Sequence, residues 1–152
     1  MYNDIFKELN NINEELLCEM AIINPYLCDQ GPIQIEVEQR NEGPIPHMHV
    51  YLDHTRDKKN CAYIRLDKAE YMPKHDSTPL GKSKDEFIKI MTSEWDGYYF
   101  KNSKTGEIRT ATGYEMAVKI WVDTYEHISI EKCNKFKFDE NGNLIMPDYS
   151  KL

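Results

Sequence analysis

The chain has 152 residues, of which 40% are hydrophobic and 30% charged, and its formal net charge is -7 from 26 acidic and 19 basic residues. This length predicts one domain, 1–152, with a single core that removes roughly 68 to 70% of the unfolded surface from water. The acidic excess argues against a nucleic-acid partner, and no apolar run is long enough to span a membrane, so we expect a cytoplasmic protein.

The first predicted element is an amphipathic helix over residues 3–23. Apolar residues recur from Ile5 to Ile23 at a spacing near 3.6, with Asn, Glu and Lys between them. Pro25 disfavours the helical conformation in the residue before it, so the helix is expected to end there.

Three stretches with a period of two follow within residues 33–67, where apolar and polar side chains alternate. Their apolar members are Ile33, Ile35 and Val37, then Met48, Val50 and Leu52, then Ala62, Ile64 and Leu66. Short loops join the three stretches, which predicts an antiparallel meander with one dry face and one wet face.

Two helices are predicted in the second half of the chain, over residues 83–95 and 112–126. Each begins with a capping box, in which the Ser or Thr side chain and a Glu three residues later satisfy each other's free amides. The two boxes start at Ser83 and Thr112, and an apolar stripe follows each of them, with Trp95 closing the first stripe.

Hairpin signals lie on either side of the second helix. The segment "DGYYFKNSKTGEIR" (residues 96–109) predicts a small hairpin or an extended loop, with at least one of its three consecutive aromatic rings exposed. The Asn141-Gly142 pair predicts a C-terminal hairpin over 136–146. The predicted fold class is therefore α+β, an antiparallel meander of three or more strands with amphipathic helices packed on one face.

The stretch "EGPIPHMHVYLD" puts His47 and His49 two positions apart on one strand, so that their side chains leave the same face and can converge on one group. The meander would place Glu36, Tyr63 and Arg65 on that face as well. This set predicts a site for a small anionic ligand, held by Arg65 and the histidines. A divalent metal held by His47, His49 and a carboxylate is a second interpretation. The alternative is an ordinary solvated sheet face that binds nothing.

Other charged and histidine motifs give weaker indications of function. The basic cluster Arg56-Asp57-Lys58-Lys59 is expected to be a solvated hairpin tip. The two His-x-Ser motifs that begin at His75 and His127 are typical of two-histidine phosphoesterases. In those enzymes one imidazole is the base, the other is the acid, and the hydroxyls hold the phosphate.

The segments "GPIPHMHVYLD" and "CAYIRLDKAEYM", with the helix that follows them, resemble a small bacterial family of unknown function. Members carry a Pro-Pro-His-x-His-Val strand motif, a second strand that ends in an acidic residue, and a helix. The resemblance covers residues 42–95, although Ile45 separates the two prolines in this chain. It implies the strand order given above and, since members are often encoded beside small partner genes, a setting like that of toxin–antitoxin pairs.

These observations predict a small, acidic, intracellular binding protein that acts through a protein partner or a small ligand and needs no cofactor. The predominance of Lys over Arg and the abundance of Asn indicate a bacterial or phage genome. The alternative function is an enzyme, either metal-dependent through His47 and His49 or phosphoesterase-like through His75 and His127. An exposed sheet edge and the aromatic residues are compatible with a homodimer.

Overall fold

The structure is a computed structural model that describes residues 20–22, 33–38, 45–53, 58–73, 75–125 and 135–152. Its strands and helices, in chain order, are β1 (Met20–Ile22), β2 (Gln34–Glu38), β3 (His47–Tyr51), β4 (Cys61–Arg65), α1 (Lys84–Thr92), β5 (Glu94–Lys101), β6 (Ile108–Thr112) and α2 (Gly113–Tyr125). The predicted α+β class is confirmed. Within these residues, neither helix combines the length and the apolar character that a bilayer span requires.

The first four strands form one antiparallel sheet in the order β1-β2-β3-β4, which is the predicted meander with a further strand at its edge. His49 on β3 lies opposite Glu36 on one neighbouring strand and opposite Tyr63 on the other. His47 lies opposite Arg65. Because paired residues project to the same side of a sheet, all five predicted ligand-binding residues share one face.

The additional strand β1 overturns one end of the predicted N-terminal helix. Residues 20–22 pair antiparallel with β2, with Met20 opposite Glu38 and Ile22 opposite Glu36, so the helix prediction is wrong there. The remainder of the predicted helix, residues 3–19 and Ile23, lies outside the described residues. Pairing with the edge of β2 is a non-local interaction that overrides the helical spacing, and local periodicity does not report it.

The polar face of the sheet is partly buried, so it is less open to water than the expected wet face. The apolar face is fully buried and consists of Ile35, Val37, Met48, Val50, Ala62 and Ile64. On the polar face, Glu36 and His47 are each only 1% exposed. The alternation therefore records a chemical difference between the two faces and does not tell which of them is open to water.

Helix α1 is shorter than predicted and ends at Thr92, so Trp95 belongs to β5 and not to the helix. The hydroxyls of Thr92 and Ser93 donate to carbonyls of the last turn, Ile88 O at 2.8 Å and Lys89 O at 2.5 Å. Ser93 then adopts an extended conformation. Side chains that bond to the backbone in this way compete with continuation of the helix.

The two predicted capping boxes have different outcomes. The Ser83 side chain makes no capping hydrogen bond, because a 3-10 turn over Gly81–Ser83 runs directly into α1. The box at Thr112 forms in both directions. Thr112 N donates to Glu115 Oε1 at 2.9 Å, and Glu115 N donates to Thr112 Oγ1 at 3.2 Å.

Strands β5 and β6 form the hairpin expected between the helices. A register shift within β5 turns Trp95, Tyr98 and Phe100 towards the core, where each is at most 9% exposed. Tyr99 is half-buried. The expected exposed ring among the three consecutive aromatic residues is therefore not found, since the segment is a strand whose pleat and bulge bury alternate side chains.

The C-terminal Asn-Gly turn forms as predicted. Phe138 and Leu144 make an antiparallel bridge across it, and Gly142 has φ of 87°, a conformation that favours glycine. Asn102 ties this turn to the β5–β6 hairpin by donating from Nδ2 to Asn141 O at 2.8 Å.

Candidate functional site

Four rings from the sheet and the loop after it are in mutual contact, and we call them the histidine cluster: His47, His49, Tyr63 and His75. The ring centroids of His47 and His49 are 5.4 Å apart and nearly parallel. His75 lies 5.5 Å from His47 and 4.8 Å from Tyr63, and His49 lies 5.0 Å from Tyr63. Three imidazoles and a phenol thus form a closed circuit of contacts.

His47 is the buried end of this cluster and is held in a fixed orientation. Its Nδ1 lies 2.8 Å from Ile45 O. A carbonyl oxygen only accepts hydrogen bonds, so Nδ1 carries the proton and the lone pair of the neutral ring lies on Nε2. The ring also contacts Trp121 of α2, with centroids 5.9 Å apart. His47 therefore connects the sheet, the histidine cluster and the buried helix.

His75 reaches the cluster because the chain after β4 folds back along that strand. Met72 N donates to Tyr63 O at 2.8 Å, and Thr78 N donates to Cys61 O at 2.9 Å. Tyr63 N in turn donates to Ser77 Oγ at 2.9 Å. These bonds satisfy the outer edge of β4, which removes it as a free edge for strand pairing. They also place the exposed His75 ring against Tyr63.

The exposed side of the cluster opens on a cleft of about 440 Å³. Its lining consists of two lysines, two rings and a short polar segment, which are Lys58, Lys59, Tyr63, His75, Asp76, Ser77 and Thr78. The lysines come from the 3-10 turn over Lys58–Asn60 that precedes β4, so this half of the predicted basic tip forms one wall of a cleft. Arg56 and Asp57 lie outside the described residues. Both lysine side chains are exposed. Cations beside an imidazole are groups that bind a small anion.

Arg65 does not have the predicted role of anion holder. Its Nε donates to Asp67 Oδ1 at 2.9 Å, and its Nη2 donates to Asp67 Oδ2 at 2.7 Å. Glu70 adds a longer contact at 3.5 Å. These carboxylates raise the pKa of Arg65 and balance its charge, mainly because Asp67 accepts hydrogen bonds from the guanidinium. The Arg65 guanidinium therefore belongs to a structural ion pair beside the cluster.

Glu36 and Cys61 lie on the same face and are both buried. Glu36 Oε1 accepts a hydrogen bond of 2.6 Å from Gln34 Nε2. Burial raises the pKa of the Cys61 thiol to about 11. Since the thiolate is the reactive form, Cys61 is not expected to act as a nucleophile near neutral pH.

The enzyme interpretations find limited support. Across the described part of the chain, no three His, Cys, Asp or Glu side chains are arranged to hold a metal ion, so a metal on His47 and His49 stays a prediction. Of the two His-x-Ser motifs, the one at His127 lies outside the described residues. In the other, the Ser77 hydroxyl donates to Thr78 O at 3.3 Å and accepts from Tyr63 N, so it is used to shape the loop.

The sequence predicts three members of the cluster but not the fourth, His75, nor the contact of His47 with Trp121. His75 lies in an irregular segment, and no periodicity connects it to a strand twelve residues earlier. The only local signal is the His-x-Ser motif, which suggested a different partner. Trp121 belongs to the apolar stripe of the helix predicted over residues 112–126, and nothing in that stripe indicates that it faces an imidazole.

Comparison with protein-family models, curated proteins and solved structures gives no match to this chain. The resemblance of residues 42–95 to the Pro-Pro-His-x-His-Val family stays a prediction. Because a fold does not specify an activity, the function is inferred from the site itself.

Proposed function

We propose that this protein binds a small anionic ligand in the cleft between the turn at Lys58–Asn60 and the loop at His75. The observation that supports this function is the juxtaposition of Lys58 and Lys59 with a histidine cluster that opens on the same cleft. The volume of about 440 Å³ is in the range of about 300 to 1,000 Å³ that is usual for small-molecule sites.

Local charge favours this ligand class although the whole chain carries a net charge of -7. Among the described residues that line the cleft, two are lysines and one is a carboxylate, Asp76. A lysine ammonium close to an anion acts over a few ångströms, whereas distant surface acids are screened over about 8 Å at physiological ionic strength. The cleft is therefore a local cationic site on an acidic protein, which also selects small ligands over extended polyanions.

Binding explains the cleft better than catalysis does. The hydroxyls of Ser77 and Thr78 donate to backbone carbonyls, with Thr78 Oγ1 bonded to Lys59 O at 3.0 Å. The second of these bonds fixes the loop at His75 relative to the turn at Lys58–Asn60. A preformed cleft lowers the ordering cost of binding, and that is how a small site gains affinity.

The test is a titration of the protein with ribose 5-phosphate, followed by calorimetry and by amide chemical shifts. We expect saturable binding, with shifts concentrated at Lys58–Asn60 and 75–78. In Lys58→Ala/Lys59→Ala the affinity should fall at least about tenfold, because two ion pairs of roughly 0.7 kcal/mol or more are lost.

The matched control is Lys82→Ala/Lys89→Ala, which removes two exposed lysines that do not line the cleft. Both double variants change the net charge equally, so a purely global electrostatic effect would weaken binding to the same extent in each. Equal affinities in the two variants, or no saturable binding by the wild type, would refute the proposed site.

A further inference from the structure

The aromatic rings in the cleft wall indicate the ligand class more specifically than the two lysines do. Tyr63 is half-buried and His75 is exposed, and their centroids are 4.8 Å apart with planes tilted by 51°. Behind them, His49 contacts Tyr63 and His47 contacts His75. A site for inorganic phosphate needs donors and cations but gains nothing from such a wall.

We infer that the ligand is a nucleoside monophosphate, whose base stacks on Tyr63 beside His75 while its phosphate lies at Lys58 and Lys59. This inference rests on the proposed function and specifies its ligand class. Base-on-aromatic stacking needs only an accessible ring face and contributes a factor of about 5 to 150 in affinity per base. The histidine cluster fixes the orientation of that platform, so little freedom is lost when a base stacks on it.

The remaining polar groups of the cleft are consistent with one phosphate and a sugar. Asp76 is exposed on the lining and would repel a second anionic group, while its carboxylate accepts hydrogen bonds from ribose hydroxyls or an exocyclic amine. The volume of about 440 Å³ is also more than a lone phosphate requires. Each group of the cleft thus has a counterpart in a mononucleotide.

The experiment compares four ligands by calorimetry: adenosine 5′-monophosphate, ribose 5-phosphate, inorganic phosphate and adenosine. We expect the nucleotide to bind at least about tenfold more tightly than ribose 5-phosphate. Tyr63→Leu should weaken nucleotide binding at least about tenfold more than it weakens ribose 5-phosphate binding. Tyr63→Phe, which keeps the ring, should retain the tenfold preference and shows that the position tolerates change.

The outcomes separate the two proposals. Equal affinities for nucleotide and ribose 5-phosphate in the wild type would overturn the nucleotide inference and leave an anion site in place. Tighter nucleotide binding that survives Tyr63→Leu in a folded protein would also overturn it, because the base would then be held elsewhere. Failure of every phosphate ligand to bind would overturn the proposed function as well.

Discussion

Gly113 lies where the first residue of α2 meets the end of α1, and replacing it with alanine should destabilise the protein. A Cβ atom built at Gly113 would be 2.2 Å from Ile90 O and 3.1 Å from Met91 Cα. Ordinary contact begins at 3.4 Å, so the two backbones would have to separate by about 1.2 Å. Gly113 N also donates to Ser93 O at 3.0 Å, which holds the two segments together.

Gly113→Ala is informative because helix propensity and the close contact change the stability in opposite directions. Helix propensity alone favours Ala over Gly by up to about 1 kcal/mol, so without the contact Gly113→Ala would be stabilising. Overpacking that side chains absorb costs about 1 to 3 kcal/mol, and here the neighbour is backbone, so we expect a loss of about 3 kcal/mol. For a chain of this size the melting temperature should fall by about 6 to 12 °C.

The assay is urea and thermal unfolding of the wild type, Gly113→Ala and the control Gly97→Ala. Gly97 has φ of +86° and no atom near its added Cβ, so its substitution reports the cost of backbone conformation alone, about 1 to 2 kcal/mol. Gly113→Ala should be the least stable of the three. A Gly113→Ala protein as stable as the wild type would refute the close approach of α1 and α2.

Two further predictions concern buried groups. Glu115, which is 4% exposed, accepts from Thr112 N and from both terminal nitrogens of Arg109. Glu115→Ala should lower the free energy of unfolding in urea by about 2 to 3 kcal/mol. Glu86→Ala, in the capping box that does not form, should change it by less than about 0.5 kcal/mol. Similar losses in the two variants would contradict the conclusion that only the Thr112 box forms. Burial raises the pKa of Cys61 from its ordinary value of 9.0 to about 11, so the stability from its neutral thiol is complete below pH 9 and is lost as the pH rises towards 11. Between pH 7 and pH 10, the free energy of unfolding of the wild type should fall by about 1.4 kcal/mol relative to that of Cys61→Ala. Parallel plots of unfolding free energy against pH for the two proteins would show that the thiol is not buried.

Local chemistry predicted the elements whose formation depends on neighbours in sequence. The Thr112 box, the Asn141-Gly142 turn and the alternating strands all formed, because each is specified by residues within a few positions. Ser83 has the same box pattern as Thr112 but runs into α1 from a 3-10 turn, so its side chain is not at a free helix start. A capping motif specifies a bond only if the chain enters the helix from an extended conformation.

The site was predictable in its strand residues and not in its loop residues. The i, i+2 spacing of His47 and His49 placed both on one face, and the cross-strand register added Tyr63. His75 joins them only because the chain folds back along β4, an arrangement fixed by backbone hydrogen bonds that carry no side-chain pattern. Arg65 was placed on the correct face but with the wrong role, since Asp67 is two residues away and captures its guanidinium.

Burial of the polar face connects ligand binding to folding. Exposure rises along the cluster from His47, which is 1% exposed and contacts Trp121, to His75, which is exposed in the cleft. A ligand that binds only the assembled cluster stabilises the whole chain, by about 2.7 kcal/mol at a free concentration one hundred times its Kd. The same ligand should therefore raise the melting temperature by roughly 5 to 11 °C. Because the Lys58→Ala/Lys59→Ala variant keeps the cluster but lacks the cations, it should fold normally, and with an affinity about tenfold weaker it should keep at most about half of that increase at the same ligand concentration.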